Sequence, residues 1–376
     1  MPPGVAALSR AARAVLAWFE KNGRDLPFRR TRDPYRILVS EAILQQTRIE
    51  TGLRYYGAFL RRFPTLRALA MAPLGSVLEA WAGMGYYARA RHLHATAIAA
   101  ARLGGLPSTA RELERLPGIG PYTAAAVASF AFGEDVLCVD GNIERVLARL
   151  FALSFVRGSP ALRRAIRART AGWPPKGTAR AFNSALMDVG ALVCRHRAPD
   201  CGACPLSPAC RARAGGNPAA FPAAKPARAK PAWTIGVALI ERKGCVLLAR
   251  RPLKGSLGGL WELPGGRRAR GESLESCVRR EVREETGLCV EAGARFAIVR
   301  HEYTHARLVL HAFRCRILRG KAHAIKSNEV RWVLPTALFA MALPAATVRI
   351  LTAAGFSRPA GRRMPAGARQ AGARRP

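Results

Sequence analysis

Residues 116–130 read LPGIGPYTAAAVASF, and the reading of this stretch decides the fold of the first half of the chain. Gly118 and Gly120 let the backbone turn tightly and expose its N–H groups, and Pro121 opens a helix whose positive end adds to them. Such a turn cradles a phosphate without touching a base. Similar turns occur in proteins that bind nothing, so the flanking sequence has to carry the rest. It is helical on both sides. LSRAARAVLAWFEKNG has an apolar stripe that ends at Gly23. DPYRILVSEAILQQTRIETGLRYYGAFLRRF starts with Asp33 as N-cap and Pro34 at the first helical position. Further helical segments break at MAPLG and LGGLPS, so residues 5–210 are predicted to be almost all helix.

A chain of 376 residues suits two domains. Its 61 Lys and Arg against 24 Asp and Glu give a formal charge of +37, which points to a polyanion, nucleic acid foremost. An arginine-rich composition set by a GC-rich genome gives part of the same bias. Hydrophobic residues make up 49 % of the chain, enough for buried cores, which excludes a disordered protein. The first twenty residues carry arginines where a signal peptide needs an apolar core, and no apolar run reaches the roughly 18 residues of a membrane span. A cytoplasmic protein without a membrane partner is expected.

Four of the nine cysteines, Cys194, Cys201, Cys204 and Cys210, follow the spacing C-x6-C-x2-C-x5-C. Thiolates this close can wrap one small cofactor. A structural zinc usually shows two C-x2-4-C knuckles, and one is present here. Four buried free cysteines are the other alternative. Arg195, Arg197, Arg211 and Arg213 flank the cluster and suit a loop beside a phosphate backbone.

Two carboxylates stand out near the hairpin. Asp140, in CVDGNIERVLARL, opens a helix and on its own reads as a plain N-cap. Glu41, in LVSEAILQQTRIET, sits among Leu38, Val39, Ile43 and Leu44. A carboxyl in such company is poorly solvated and its pKa rises, which keeps a proton available to a general acid near neutral pH. The exposed face of an amphipathic helix is the plainer alternative. Hairpin, aspartate and cysteine loop stand in the order of the endonuclease III-like helix-hairpin-helix superfamily. Together with LPFRRTRDPYRILV and GMGYYARARHLH, the segment around Glu41 closely resembles the adenine DNA glycosylases of the MutY type.

The resemblance implies a multidomain protein: an all-α glycosylase domain with an iron–sulfur loop over residues 1–213, a linker over 214–232, and an α/β Nudix-like domain over 233–345. It implies a 4Fe–4S cluster on the four cysteines. Glu41 would protonate N7 of an extruded adenine and Asp140 would stabilise the oxocarbenium-like sugar, with Tyr122, Asn142 and Arg29 supporting the pair. Tyr122 stands where the lyase members carry a lysine, and no lysine occurs in 116–130, which implies a monofunctional enzyme. Arg24 and Leu44 match residues lining the adenine pocket, and Gln46 and Tyr86 match those that wedge the DNA stack. Ser184 departs from the family, which often has Glu or Gln there. The implied partner is double-stranded DNA with adenine opposite 8-oxoguanine or guanine, bound by a monomer.

Strand-like stretches begin after the Pro/Ala/Lys/Arg-rich linker. WTIGVALIERKGCVLLARR reads as a hairpin with its turn near Lys243-Gly244, LWELPGG as a short strand, ESLESCVRREVREET as a helix and HARLVLHAFRCRIL as a strand. Gly266, Glu272, Arg280, Glu281, Val282, Glu284, Glu285, Gly287 and Leu288 fit the Nudix box at every fixed position. On a helix, Glu281, Glu284 and Glu285 span an arc of about 100°, where carboxylates repel one another unless a cation neutralises them, and Mg²⁺ prefers oxygen ligands of this kind. Two readings stand side by side. The box is an inherited fold element, its glutamates paired with arginines such as Arg267, Arg268, Arg279 and Arg283, or the domain also hydrolyses a nucleoside triphosphate. The resemblance places Thr304 and His305 where the family reads 8-oxoguanine, with Tyr303 in place of Phe. The arginine-rich residues 356–376 are expected to be a disordered basic tail. A non-enzymatic lesion sensor is the third reading.

Overall fold

The computed structural model describes residues 5–45, 47–226, 229–255, 257–303 and 306–357, with side chains from residue 8. Gln46, Thr304, His305 and all but the start of the 356–376 tail lie outside the described residues.

The helices run in chain order as α1 (Val5–Asn22), α2 (Pro34–Leu44), α3 (Ile49–Arg62), α4 (Leu66–Met71), α5 (Leu74–Ala80), α6 (Ala88–Arg102), α7 (Ala110–Leu113), α8 (Pro121–Val127), α9 (Gly141–Leu150), α10 (Pro160–Arg169), α11 (Ala179–Asp188) and α12 (Arg211–Ala214). Asp33 caps α2 as expected, accepting from Tyr35 N and Arg36 N. The long helix expected over 33–63 is broken after Leu44, and α3 starts afresh at Ile49. Near the break Gln45 Nε2 donates to Thr123 Oγ1 at 3.2 Å, a partner 78 residues away. Both α8 and α11 end in a wider π turn, over Ala128–Phe132 and Val189–Val193, a distortion frequent beside functional sites.

Contacts divide the chain into two compact units. One comprises Met1–Gln45, Thr65–Ala70 and Ala95–Ala227, the other Gln46–Pro64, Met71–His94 and Arg228–Pro376. The helical segments 46–64 and 71–94 therefore group with the C-terminal half. In the first unit α1, α9, α10 and α11 bury Val15, Ile143, Leu147, Leu162, Phe182 and Leu186 in one core. The stretch expected to be a linker is tied down over part of its length. Phe221 O accepts from Arg149 Nε, and Ala223 exchanges backbone bonds with Phe155 and Arg157.

The second unit carries the strands β1 (Ala232–Arg242), β2 (Cys245–Arg250), β3 (Trp261–Glu262), β4 (Gly265–Arg267), β5 (Cys289–Glu302), β6 (Arg307–Arg319) and β7 (Glu329–Val333). The sheet order is β3-β2-β1-β6-β5, with β4 on β1 and β7 on β2. Pairing of β1 with β6 is parallel and the other pairs are antiparallel, giving a mixed sheet. Lys243 (φ 49°) and Gly244 (φ 73°) make the β1–β2 turn where the sequence placed it. The helix of the box is α13 (Leu274–Thr286), capped by Ser273. It lies so close to β1 that a Cβ on Gly236 would sit 2.8 Å from Val278 Cγ2. Two more helices follow, α14 (Pro335–Leu338) and α15 (Ala345–Ala353). Ile350 and Leu351 of α15 are fully buried in the sheet core, so the unit runs past the expected limit at residue 345.

Candidate active site and cysteine cavity

In the first unit, the helix packing that buries Ile37, Leu38, Val39 and Ile43 also buries Glu41 on α2. Tyr122, the second residue of α8, donates its hydroxyl to Glu41 Oε2 at 2.5 Å. Burial raises Glu41 from its ordinary 4.5 to about 7, the Tyr122 bond opposes this, the negative charge of Asp140 adds to it and Arg29 offsets part. Burial also keeps the Tyr122 phenol well above its ordinary value, so it is a donor near neutrality and not a base. Leu44 closes α2 one turn beyond Glu41, half-buried.

Asp140 is indeed an N-cap, and more. It accepts from Asn142 N (3.0 Å), Ile143 N (2.7 Å) and Asn142 Nδ2 (2.9 Å). Burial raises its pKa and these bonds oppose the rise. The pair is therefore asymmetric: three donors favour the ionised form of Asp140, whereas one donor faces Glu41. Arg145 continues the chain, donating to Asn142 Oδ1, Gly190 O and Cys194 O.

Asp188, on the last residue of α11, was not singled out in the sequence. It is fully buried and holds both predicted arginines. Arg24 gives it three bonds, at 2.9, 2.8 and 2.6 Å, and Arg29 two, at 2.8 and 2.9 Å. Ser184, buried one turn earlier, accepts at its carbonyl from Arg29 at 3.4 Å. A signal was present: an acid in the apolar run FNSALMDVGALV needs cationic company.

The hairpin keeps one of its two glycines in the predicted role. Gly118 has φ +84°, a conformation suited to glycine. Gly120 is the extended N-cap of α8 at φ −96°, and a Cβ there would meet nothing within 4 Å. No turn geometry demands glycine at 120, then, and what it offers is open space at a helix start. Tyr86 belongs to the second unit.

All four cysteines of the cluster line one small cavity with Arg149, Asp200 and Arg213. Arg149, almost fully buried, donates to Cys194 O, Cys194 Sγ, Arg195 O, His196 O and Phe221 O, which fixes the loop's start. Burial pushes the Cys204 thiol up to about 11, with neighbouring cysteines adding to it, and Cys210 moves the same way. Thiols held so high ionise when a metal replaces their protons, so the donor set fits a thiolate-bound group. Among the described residues no three His, Cys, Asp or Glu converge on a single metal ion.

The three glutamates of the box are each engaged by protein groups, Glu285 by Gly265 N at 3.1 Å. Glu281 accepts from Arg280 Nη1 at 2.7 Å, and Glu284 from Lys326 Nζ at 2.7 Å. Burial and the neighbouring Glu262 raise Glu285 to about 8, so it is mostly protonated at pH 7. The pairing with arginine expected for the box is made by Arg280, an arginine of the box itself, and Lys326 adds a second cation.

A model of the HhH-GPD superfamily base excision DNA repair proteins matches residues 39–169, and a NUDIX domain model matches residues 236–353. The adenine DNA glycosylase of Homo sapiens is 34 % identical over 307 residues, covering 67 % of this chain and 56 % of that protein. That of Arabidopsis thaliana is 35 % identical over 292 residues, covering 66 % and 46 %. That of Mycolicibacterium smegmatis is 43 % identical over 208 residues, covering 54 % and 70 %. The chain thus spans about half the length of the human and plant relatives.

Proposed function

This chain belongs to the adenine DNA glycosylase family, and we propose on that premise that it removes adenine mispaired with 8-oxoguanine or guanine from double-stranded DNA. The reaction is hydrolysis of the N-glycosidic bond, without a lyase step. The observation that carries the reading is the buried Glu41, bonded to Tyr122 and held at about 7 beside the charge of Asp140. Glu41 delivers a proton to N7 of the extruded adenine, which makes the base a neutral leaving group. Asp140, held by Asn142 and the start of α9, faces the positive charge that develops on the sugar, as an ion pair or a transient adduct. Arg24 and Arg29, fixed by Asp188, and the small Ser184 and Leu44 border the base. Gly118 and Gly120 present bare backbone to a phosphate.

The Nudix-like fold reads the opposite base, with Thr304 and His305 as the residues that touch it. Gln46 and Tyr86 fill the stack. Cys194, Cys201, Cys204 and Cys210 would hold a 4Fe–4S cluster, which supplies a rigid brace for the loop when bound. Anaerobically purified chain is expected to carry iron and visible iron–thiolate absorbance, and Cys204→Ser to lose most of both. The other reading, Mg²⁺-dependent pyrophosphohydrolysis, has the intact box on its side but not the side chains, since Arg280 and Lys326 already neutralise Glu281 and Glu284. Among the described residues no helix is long and apolar enough to cross a membrane.

Adenine release from a duplex with one A·8-oxoguanine pair tests the proposal, and its pH profile tests the mechanism. A general acid titrating at about 7 gives a single-turnover rate that is flat below that pH. Above it the rate falls by about tenfold per pH unit. The acid limb, from protonation of Asp140, lies above its ordinary 3.8. A rate that rises from pH 7 to 9 rules out Glu41 as the acid, and no release of adenine at any pH rules out the function.

A further inference from the structure

Tyr86 holds a backbone conformation that side-chain-bearing residues rarely adopt, with φ +49°, and the residue is 45 % exposed. Such a residue persists where its surroundings over-determine it. Those surroundings all lie within the second unit. Gly83 (φ +91°) and Gly85 (φ +71°) bend the chain before it, and Trp81 Nε1 donates to Gly85 O at 3.1 Å. Behind the ring stands Arg89, its guanidinium carbon 5.1 Å from the Tyr86 centroid and 5.7 Å from that of Trp81.

Two residues, Tyr87 and Arg91, reach from this turn into the Nudix-like fold with three bonds. Tyr87 is buried. Its hydroxyl accepts from Gly83 N at 3.3 Å and donates to Leu343 O, just before α15, at 3.4 Å. Arg91, one turn later on α6, donates to Gly258 O at 2.8 Å and to Gly255 O at 2.7 Å in the β2–β3 loop. Two glycines of that loop lie in close quarters. A Cβ on Gly258 would lie 2.2 Å from Leu253 O, and one on Gly259 would lie 3.0 Å from Leu78 Cδ1 on α5. One guanidinium bridging two carbonyls fixes direction as well as distance.

We propose that Arg91 is a positioning residue: it clamps the tyrosine turn to the β2–β3 loop, so that the base read by the Nudix-like fold governs how productively Tyr86 meets the DNA. The inference rests on the function proposed above. It makes Arg91 a determinant of opposite-base preference, although it touches neither base. Its bonds go to main-chain carbonyls, so the effect is carried by geometry and not by charge at the lesion.

The test uses the full chain and duplexes with adenine opposite 8-oxoguanine or plain guanine. Arg91→Met keeps the apolar stem and removes both bonds. At limiting enzyme it is expected to lose roughly tenfold in rate on the lesion duplex, the size of a typical coupling between sites. The rate on the A·G duplex at saturating enzyme should be unchanged, so the preference collapses. Arg91→Lys, able to reach one carbonyl, should restore part of it. Tyr86→Leu combined with Arg91→Met should be no slower than Tyr86→Leu alone, because the two act in series. A preference equal to that of the unaltered chain, equal losses on both duplexes, or additive effects with Tyr86→Leu each overturn the proposal. Hydrogen exchange needs no activity and separates the two readings. If the unaltered chain releases no adenine, the function falls. The clamp then stands or falls on whether Arg91→Met speeds exchange in 83–91 and 257–260 together.

Discussion

Glu41→Gln is expected to lower adenine release by about two to four orders of magnitude, the range that a positioned general acid contributes. The substitution is nearly isosteric. An amide carbonyl can still accept from Tyr122, whose hydroxyl donates at 2.5 Å in the unaltered chain. The proton needed by N7 is what is lost. Burial takes Glu41 from 4.5 to about 7, so its ionised form is disfavoured in the folded chain by roughly 3 kcal/mol relative to water. The sign follows directly. A raised acid makes its full contribution to stability below its unfolded value and loses it as pH rises through 4.5 to about 7. Glutamine has no such dependence. Glu41→Gln should therefore match or exceed the unaltered chain in stability above pH 7 while retaining binding to the mispaired duplex. That opposition of stability and activity is what an active-site carboxyl, as distinct from a structural one, produces. A folded variant that cleaves at the unaltered rate would remove Glu41 from the mechanism.

Asp188→Asn is expected to destabilise the chain by about 3 kcal/mol, because it leaves two guanidinium groups facing each other without a counter-charge. Asp188 is fully buried, while Arg24 and Arg29 keep 28 % and 17 % of their side-chain surface, so water relieves only part of the loss. Burial alone would push the Asp188 carboxyl up. The bonds from Arg29 and Arg24 outweigh it and leave the group below its ordinary 3.8. A depressed acid contributes stability that is present above its unfolded value and lost as pH falls through the folded one. The difference between the unaltered chain and Asp188→Asn in urea denaturation should thus be largest at neutral pH and shrink below about pH 4. A constant difference from pH 7 to 3 would show that charge is not the cause. Adenine release should fall as well, since Arg29 loses its anchor beside Ser184.

Local rules made the hairpin, the Asp33 cap, the Lys243-Gly244 turn and α13 legible, because each is decided within a few residues. Glu41 was legible through its apolar neighbours. The break after Leu44 was not, since LQQTR contains neither Gly nor Pro and the side chain of Gln45 binds Thr123, far along the chain. Distance hid Asp188 in the same way, with partners 159 and 164 residues away. Strand β5 escaped because its pairing with β6 carries register shifts at three places, which blur the alternation of buried and exposed residues. For the box, proximity in sequence points to one cation and misses the other. Lys326, 42 residues on, bonds Glu284, and Arg280, itself part of the box, takes Glu281.

The interleaving of the two units bears on what a shortened gene could encode. The backbone passes from one unit to the other after residues 45, 64, 70, 94 and 227. A premature stop codon soon after 227 removes Leu343 and the Gly255 and Gly258 carbonyls, yet leaves Tyr87 and Arg91 in the remaining product. Such a truncation would not cut along a seam. It would strip the tyrosine turn of its supports, so inheritance of the two halves as separate modules, by fission or by exchange with another gene, would have to replace those contacts first.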